Sequence, residues 1–342
     1  MKTLKAVLAG CGGMAAAWLK PARDIPGLEI AGLVDIREEA ARNRAKDFGL
    51  PGAVTGADLG AVIDKVKPDM VFDVTVPEAH HGVVMTALSR GCHVMGEKPM
   101  ADSMDHAREM VAAARKAGKL YAVIQNRRYD PNIRRLKRFL ASGAIGRIGT
   151  VNCDFYIGAH FGGFRDRMKH VLVVDMAIHT FDAARYLMGS DPARVVCLEW
   201  NPRGSWYDHD ASAVALFTMS DGTVFCYRGS WCAEGLNTTW ECGWRFQGEK
   251  GSAVWDGAKD MRAEVVKEAG GFMSDMTGLP VPPGNPADRT GGHAGLLAEF
   301  VGCVRDGGVP ETAGEDNIKS LAMVCGAVES SEHGKWAEID WR

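Results

Sequence analysis

The sequence predicts an α/β protein in which a doubly wound domain with a parallel sheet precedes an α+β domain with a large open, mainly antiparallel sheet. In the first third of the chain, short apolar runs alternate with helix-forming segments, a pattern typical of a parallel sheet covered on both faces. From Val151 onward, strand-like runs follow one another without helices between them, which favours an antiparallel sheet. The length of 342 residues is typical of about two domains, and we place them at residues 1–125 and 126–342.

The composition is that of a globular protein without a strong charge imbalance. A net charge of −3 and 46% hydrophobic residues provide for cores and give no general attraction to nucleic acid or acidic membranes. The nine cysteines form no C-x-x-C pair and show no zinc-ligand spacing, so we expect free thiols, a reducing compartment and no metal. The N-terminus has no signal-peptide layout and no apolar stretch is long enough for a bilayer, so a cytoplasmic protein is the default expectation.

A glycine-rich turn follows the first apolar run, Leu4–Ala9, and precedes a helix-forming segment. The turn matches G-x-G-x-x-A, in which Gly10 permits the tight turn, Gly12 lets the backbone approach a pyrophosphate, and Ala15 keeps helix and strand close. The helix N-terminus supplies free N–H groups for the same anion. The alternative is a tight turn without a ligand, but the strand–turn–helix context favours a dinucleotide, bound by Gly10, Gly12, Gly13 and Met14.

An acidic residue ends the second predicted strand, Leu28–Val34. Asp35 lies about 20 residues after the turn, where a carboxylate can accept hydrogen bonds from both ribose hydroxyls. The same carboxylate would repel a 2′-phosphate, which favours NAD over NADP. Arg37 lies close behind and can partly offset that repulsion, so NADP is kept as an alternative.

The alternation of strands and helices continues to residue 124. Ligands of parallel sheets bind at the carboxyl ends of the strands, so the residues directly after each strand are candidates for a site. Besides the turn and Asp35, these are Thr75–Pro77, Glu97–Pro99 and Gln125–Arg128. The predicted elements are helices at 15–20, 37–48, 57–66, 80–90 and 103–117, and strands at 53–55, 70–74, 93–96 and 120–124.

A largely apolar segment, Val171–Gly189, predicts one buried helix, since neither Gly nor Pro interrupts it before its end. Three polar residues break the apolar pattern: Asp175, His179 and Asp182 lie at i, i+4 and i+7, and therefore on one stripe. A carboxylate or an imidazole on such a helix is costly unless it is paired or faces a wet cleft. The stripe indicates either a functional cleft or a satisfied core histidine with two capping carboxylates.

Taken together and in order, these motifs resemble the glucose–fructose oxidoreductase and inositol dehydrogenase family, also called Gfo/Idh/MocA. The resemblance covers almost the whole chain and rests on Thr75–His81 (TVPEAHH), Gly91–Pro99 (GCHVMGEKP), the Asp175, His179 and Asp182 set, and Gly308 with Pro310–Asp316. It implies a Rossmann NAD(P)-binding domain followed by a domain for substrate binding and oligomerisation.

By this resemblance, Lys98, Asp175 and His179 match the family's catalytic positions, although Glu97 and Lys98 by themselves could form an ordinary surface ion pair. The positions predicted to bind the cofactor are Gly10, Gly12, Gly13, Met14, Asp35, Arg37, Thr75, Pro77, His81, Glu97, Lys98 and Asn126. Two departures from the family pattern are visible. Ala177 stands in place of a frequent glycine, and Glu78 follows Pro77 where asparagine often does.

Several loop residues are candidates for substrate contact, with a plain solvated loop as the alternative for each. The predicted substrate-binding set is Lys98, Arg128, Tyr156, Arg165, Asp175, His179 and His293. Arg165, His160 and Lys169 belong to the loop Gly158–Lys169, which directly precedes the predicted helix Val171–Gly189. The segment Gly270–Gly292 is rich in Gly and Pro, has few strand or helix formers, and is interpreted as a lid or a subunit arm.

The strands of the second domain carry many tryptophans, which we expect on the exposed face of the sheet. These are Trp200, Trp206, Trp231, Trp240 and Trp244. A large open sheet of this kind often buries its outer face against another copy, and the family resemblance likewise implies a homodimer or homotetramer through this sheet. The alternative is that the tryptophans fill the core of the domain and the mouth of its substrate site.

The predicted reaction is the reversible oxidation of a secondary hydroxyl of a sugar, sugar derivative or cyclitol, with NAD as the hydride carrier. His179 is expected to take the hydroxyl proton, Lys98 to stabilise the alkoxide, and Asp175 to help bind the hydroxyl. Two alternatives from other classes are a glycoside hydrolase-like enzyme that uses NAD for transient oxidation, and a non-enzymatic NAD(H)-binding sensor.

Overall fold

The computed structural model describes residues 3–342, whose contacts divide into two compact units. The first unit extends to Tyr129 and includes Arg289–Leu321 and Arg342, and the second unit comprises Asp130–Asp288 and Ala322–Trp341. A return of the chain to the first unit after residue 288 was not expected from the sequence. The domain boundary at residues 125 and 126 stays a prediction.

Nine α-helices and fifteen strands are found in the described residues 3–342. The helices are α1 Ala15–Arg23, α2 Glu38–Asp47, α3 Leu59–Val66, α4 Pro77–Ser89, α5 Met104–Ala117, α6 Pro131–Ala141, α7 Ile178–Met188, α8 Gly292–Asp306 and α9 Gly314–His333. The strands are β1 Leu4–Ala9, β2 Leu28–Val34, β3 Val54–Gly56, β4 Met70–Asp73, β5 His93–Gly96, β6 Tyr121–Val123, β7 Ile148–Tyr156, β8 Pro192–Trp200, β9 Ser212–Met219, β10 Val224–Ser230, β11 Gly243–Gly248, β12 Gly251–Trp255, β13 Met261–Glu268, β14 Asp275–Leu279 and β15 Ala337–Glu338.

The first unit contains a six-stranded parallel sheet in the order β3-β2-β1-β4-β5-β6. The order reverses at β1, as expected when β–α–β crossovers go first one way and then the other. Helix α8 supplies Leu296, Leu297 and Phe300 to the same buried cluster as Trp18 of α1. This cluster holds α8, far along the sequence, on the helix that follows the glycine turn.

The second unit contains a nine-stranded sheet in the order β14-β13-β12-β11-β7-β10-β9-β8-β15. Strands β7 and β10 run parallel, and the other neighbouring pairs are antiparallel. One face is apolar because alternate residues of each strand point to it. On that face Phe181 of α7 packs edge-on against Phe217 at 4.8 Å and Tyr227 at 5.3 Å between ring centroids. The predicted fold class is therefore confirmed.

The expectation that the tryptophans lie on the exposed face was wrong for two of them, and two strands of the sheet were not predicted; the lid or subunit arm at Gly270–Gly292 stays a prediction. Trp231 and Trp244 are 2% and 3% exposed, so these two lie in the core of the domain, as the alternative interpretation had it. Trp200 and Trp240 are exposed. The segment Gly270–Gly292 contains a strand, β14, paired with β13. Neither strand was predicted. Charged residues hide the period-2 pattern of β13, and β14 contains a glycine and lies at the edge of the sheet.

Chain-wide features agree with a protein that has no disulfide framework. All nine cysteines are free thiols, as expected. Among residues 3–342, no helix combines the length and apolar character that a membrane crossing requires. Within the same part of the chain, no group of three or more His, Cys, Asp or Glu side chains is arranged to hold a metal ion, and the absence of a metal stays a prediction.

Candidate active site

The glycine turn of the first unit is wedged between two strand ends. Gly10 has a φ of +92°, and a Cβ added there would lie 2.4 Å from the carbonyl oxygen of Val74, so only glycine fits. Its N–H donates to the carbonyl of Val34 at 2.8 Å. The end of β1 therefore lies between the ends of β2 and β4, at the reversal of strand order where such sheets bind ligands.

The outer side of the turn is open, as a dinucleotide pyrophosphate would require. A Cβ added to Gly12 or Gly13 would have no atom within 4 Å, and α1 begins directly after Met14. Arg44 of α2 supports the turn by donating to the carbonyls of Gly12 at 2.8 Å and Cys11 at 3.2 Å. Burial raises the pKa of the Cys11 thiol to about 11, aided by the charge of Asp35.

Asp35 is held at the end of β2 by two backbone donors. Its Oδ2 accepts the N–H of Cys11 at 2.9 Å, and its Oδ1 accepts the N–H of Arg37 at 3.0 Å. Each carboxylate oxygen keeps a further acceptor position, which fits two ribose hydroxyls. The Arg37 side chain is 78% exposed and its Nε lies 4.0 Å from Asp35, a weak pair in water. The residues present thus fit a dinucleotide.

A buried network lies beyond the end of β4. Asp73 accepts the Thr75 hydroxyl at 2.5 Å and the His80 Nδ1 at 2.8 Å, and because a carboxylate only accepts, Nδ1 carries the proton. Because the Thr75 hydroxyl donates its proton within this network, the network orients the loop that leads to Pro77, the first residue of α4. The predicted cofactor residue His81 pairs with Glu109 of α5 at 2.7 Å, and its contact with a cofactor stays a prediction.

Glu97 at the end of β5 is a buried structural acceptor. Trp18 of α1 donates its indole N–H to Glu97 at 2.7 Å, and Glu97 is 8% exposed. The sequence offered a surface ion pair as an alternative for Glu97 and Lys98, and the burial of Glu97 rules that out. Lys98 is partly buried and follows directly, with its backbone N–H 3.3 Å from the Glu97 carboxylate.

Two predicted residues of the first unit meet at the end of β6. The Asn126 amide lies 3.1 Å from Nδ1 of His293, which begins α8. Burial lowers the pKa of His293, so this imidazole is neutral near pH 7 and accepts the hydrogen bond. Arg128 is 4% exposed and pairs with Asp316 at 2.7 Å, a structural role. Its contact with a substrate stays a prediction.

In the second unit, the predicted helix Val171–Gly189 is present, but it is not α-helical throughout. Residues Leu172–Ala177 form a π-helical turn that leads directly into α7. Such turns contain one extra residue and often mark functional sites. Asp175 lies in the π turn and His179 in α7, both partly exposed, whereas Asp182 is fully buried with Arg185 at 3.9 Å. Asp182 therefore does not share the accessible side of the helix with the other two.

Asp175 has a cationic partner from the preceding loop. Arg165 Nε donates to one carboxylate oxygen of Asp175 at 2.8 Å, and its Nη2 lies 3.4 Å from the other. Phe161 and Phe164 lie against the guanidinium group, with ring centroids 4.9 Å and 4.8 Å from its carbon. The predicted substrate residue Arg165 is thus joined to the predicted catalytic residue Asp175.

The structure separates Tyr156 from this group. Tyr156 ends β7 on the outer face of the sheet, where burial raises its pKa and Asp154 adds to the effect. Its neighbour Phe155 faces the apolar side, on which α7 packs. Because successive residues of a strand point to opposite faces, the structure does not bring Tyr156 to the helix that carries Asp175 and His179.

His170, directly before the π turn, was not singled out from the sequence. It has a φ of +52°, and its Nδ1 lies 2.7 Å from the buried Glu199 of β8, with its Nε2 3.4 Å from Glu332 of α9. The hydrogen bond to Glu199 raises the pKa of His170. Sequence spacing carries no signal for this contact because its partners come from distant elements.

The predicted residues fall into two sets, one on each unit. The first unit holds the glycine turn, Asp35, Thr75, Glu97, Lys98, Asn126 and His293 at the carboxyl ends of its parallel strands. The second unit holds Arg165, Asp175 and His179 around the π turn. The first set suits a dinucleotide, and the second supplies ionisable groups for proton transfer.

Comparisons with known proteins give family matches for both parts of the chain. Residues 4–125 match the model of the Gfo/Idh/MocA oxidoreductase family with an NAD-binding Rossmann fold, and residues 133–254 match that of the GFO/IDH/MocA C-terminal domain. The chain is 29% identical to a D-apiose dehydrogenase of Paraburkholderia graminis, over 99% of this chain and 90% of that one. It is 31% identical to an inositol 2-dehydrogenase of Streptomyces avermitilis, over 52% and 51% of the two chains.

A solved structure shows the same fold. An oxidoreductase from Agrobacterium radiobacter, in complex with NAD+, L-tartaric acid and magnesium, superimposes with a TM-score of 0.84 at 23% identity, covering 99% of both chains. At this identity the likeness concerns the fold alone.

Replacing Asp35 with asparagine should weaken NADH binding about tenfold, because hydrogen bonds to a charged acceptor contribute about 1.5–3 kcal/mol. NADPH binding should not weaken, since repulsion of a 2′-phosphate is relieved. Titration of the protein with each nucleotide, followed by cofactor fluorescence, measures both affinities. The matched control is Glu38→Gln, which removes an exposed carboxylate three residues away. Unchanged NADH affinity in Asp35→Asn would contradict the assigned role.

The His170 contacts predict a pH-dependent stability. A pKa raised above 6.5 in the folded state means that the stabilisation is fully present below about pH 6.5 and is lost as the pH rises through the folded pKa. Thermal unfolding between about pH 6 and about pH 9 should show a stability difference between wild type and His170→Asn that shrinks with pH. Asparagine tolerates the left-handed backbone. A difference that stays constant with pH argues against the charged contact.

Proposed function

Because the chain belongs to the Gfo/Idh/MocA family of oxidoreductases, we propose that it oxidises a secondary hydroxyl of a sugar, sugar derivative or cyclitol. Membership makes it an NAD(P)-dependent oxidoreductase. The observation that carries the proposal is the presence of Lys98, Asp175 and His179 together with a turn that fits the cofactor. Relatives named D-apiose dehydrogenase and inositol 2-dehydrogenase support the substrate class.

The first unit supplies the cofactor site. When bound, NAD would supply the hydride acceptor for the carbon that carries the hydroxyl. The N-terminus of α1 and the open backbone at Gly12 would hold the pyrophosphate, and Asp35 would hold the adenosine ribose. The exposed Arg37 leaves Asp35 as the dominant charge, which favours NAD over NADP. The nine free thiols suit the reducing cytoplasm in which we place the enzyme.

Proton transfer and charge stabilisation are assigned to three side chains. His179 takes the hydroxyl proton on a ring nitrogen, since an imidazole can release it again in the reverse direction. The Lys98 ammonium group stabilises the negative charge that develops on the substrate oxygen. Asp175 accepts a hydrogen bond from the substrate and orients it, while Arg165 at 2.8 Å balances the carboxylate charge.

We further propose that the outer face of the second sheet forms the interface of a homodimer or homotetramer. Leu198, Trp200 and Val214 are exposed there and lie on the adjacent strands β8 and β9, with Leu198 paired to Val214. Neighbouring exposed apolar side chains of this kind are typical of protein interfaces. On the same face Arg228 and Asp154 form a bidentate ion pair with both N–O distances at 2.7 Å. Because the two charges neutralise each other, the pair can be buried against a second copy without leaving an unpaired charge.

Turnover should fall by about two to four powers of ten in His179→Ala and in Lys98→Ala, the range typical of lost acid–base catalysis. A panel of sugars, cyclitols and anhydrosugars, monitored for NADH or NADPH formation, first identifies the substrate and the cofactor. His333→Ala and Lys116→Ala, which remove exposed side chains of the same kinds, serve as controls and should retain full activity. Near-normal turnover in both active-site variants would overturn the assignment.

The oligomer proposal predicts that Val214→Glu shifts the protein toward monomers, because a carboxylate would be buried against an apolar surface. Light scattering coupled to size-exclusion chromatography measures the mass in solution. Val309→Glu makes the same chemical change at a position that is 71% exposed in the first unit and should leave the mass unchanged. A wild-type protein that is monomeric at all concentrations would refute the interface.

A further inference from the structure

Three loops of the second unit meet at one end of the strands of its sheet. Strands β7 and β10 run parallel, so the loops after both strands leave at the same end, and an antiparallel bridge between Gly158 and Cys232 joins these loops. The connection between β8 and β9 joins them, because Trp206 and Tyr207 both donate to the carbonyl of Ala159, at 3.0 Å and 2.7 Å. We call residues 158–169, 201–210 and 231–240 the aromatic loop cluster.

Aromatic side chains in this cluster pack on one another and yet remain exposed. The ring of Trp231 lies 5.2 Å from that of Phe161 and 5.6 Å from that of Trp240. Phe161 is 43% exposed, Trp240 is 50% exposed and Phe164 is 63% exposed. Exposed aromatic rings grouped in this way are costly in water and mark a binding surface for an apolar group.

The cluster also contains buried polar atoms that need a partner. Within residues 3–342, neither the indole N–H of Trp231 nor Oδ1 of Asp166 has a hydrogen-bond partner, although both atoms are buried. Trp231 as a whole is 2% exposed. Such atoms are costly, and in native structures each has a specific cause, a functional role among them.

Arg165 connects the cluster to the π turn that carries Asp175. Its guanidinium group lies against Phe161 and Phe164 and pairs with Asp175 at 2.8 Å. Tyr207 belongs to the same cluster. Burial raises its pKa to about 12, so its side chain stays a neutral phenol that can form hydrogen bonds. A ring stacked on Phe164 is separated from Asp175 by the guanidinium group. It is therefore a different ring from the one whose hydroxyl Asp175 orients.

We propose that the aromatic loop cluster binds the second ring of a glycoside, so that the preferred substrates are disaccharides or other glycosides and not free monosaccharides. This inference rests on the proposed oxidation of a sugar hydroxyl. A pyranose ring presents its apolar C–H face to the exposed ring of Phe164, and its hydroxyls reach Arg165, whose guanidinium group has N–H donors beyond the two that Asp175 accepts. Arg165 and Asp175 mark the boundary between the two rings.

The test measures binding of glucose, maltose and cellobiose to the NADH-loaded protein by isothermal titration calorimetry, since the reduced cofactor prevents oxidation. The wild type should bind at least one disaccharide about tenfold more tightly than glucose. Phe164→Ala should remove about this factor for the disaccharide, because one aromatic stacking contact is worth about one power of ten. Its affinity for glucose should change by less than about twofold.

Two further variants separate stacking from general damage. Phe164→Tyr keeps the ring and should retain disaccharide binding. Trp336→Ala removes another exposed ring that also lies against a guanidinium group, that of Arg194 at 4.7 Å, and should have no effect. Disaccharides that bind no more tightly than glucose, or a Phe164→Ala variant that weakens glucose and disaccharide equally, would overturn the inference.

The same measurements distinguish this inference from the proposed function. If disaccharide binding depends on Phe164 but no sugar in the panel is oxidised, the second-ring site stands and the dehydrogenase reaction fails. If sugars are oxidised but disaccharide binding does not depend on Phe164, the reaction stands and the second-ring site is overturned.

Discussion

The close approach of Gly10 to the carbonyl of Val74 is the constraint on which the cofactor site depends. Because no side chain fits there, the end of β1 can lie between β2 and β4 and bring three strand ends to one place. Carboxylates lie at or just beyond the ends of β2, β4 and β5: Asp35, Asp73 and Glu97. Each is costly to bury alone, and each has fixed donors from the surrounding backbone or side chains.

These anchored carboxylates explain why loops without regular structure can serve as a precise site. The backbone amide of Cys11 orients Asp35, His80 orients Asp73, and the Trp18 indole orients Glu97. Trp18 belongs to the helix that follows the glycine turn, so the Lys98 segment and the cofactor turn are joined through one hydrogen bond. Rigid positioning of this kind lowers the reorganisation that a reaction would otherwise require.

The sequence predicted what depends on local spacing. The strand–turn–helix pattern located Gly10 and Asp35, and the rule for carboxyl strand ends selected Glu97 and Asn126, because these signals lie within a few residues. It did not predict the π turn at Leu172–Ala177, since an inserted helical residue leaves no trace in apolar periodicity. The predicted stripe also grouped Asp182 with Asp175 and His179, although Asp182 is buried beside Arg185. Contacts such as Trp18 with Glu97 or His170 with Glu199 join distant segments, which spacing cannot reveal.

The protonated state of Cys11 has a consequence for the handling and durability of the protein. A thiol whose pKa is raised to about 11 is almost entirely uncharged at neutral pH, and the thiolate is the form that reacts with peroxides and alkylating reagents. The thiol of Cys11 in the nucleotide-binding turn is thus weakly reactive at neutral pH. Alkylating reagents should therefore spare the thiol of this turn.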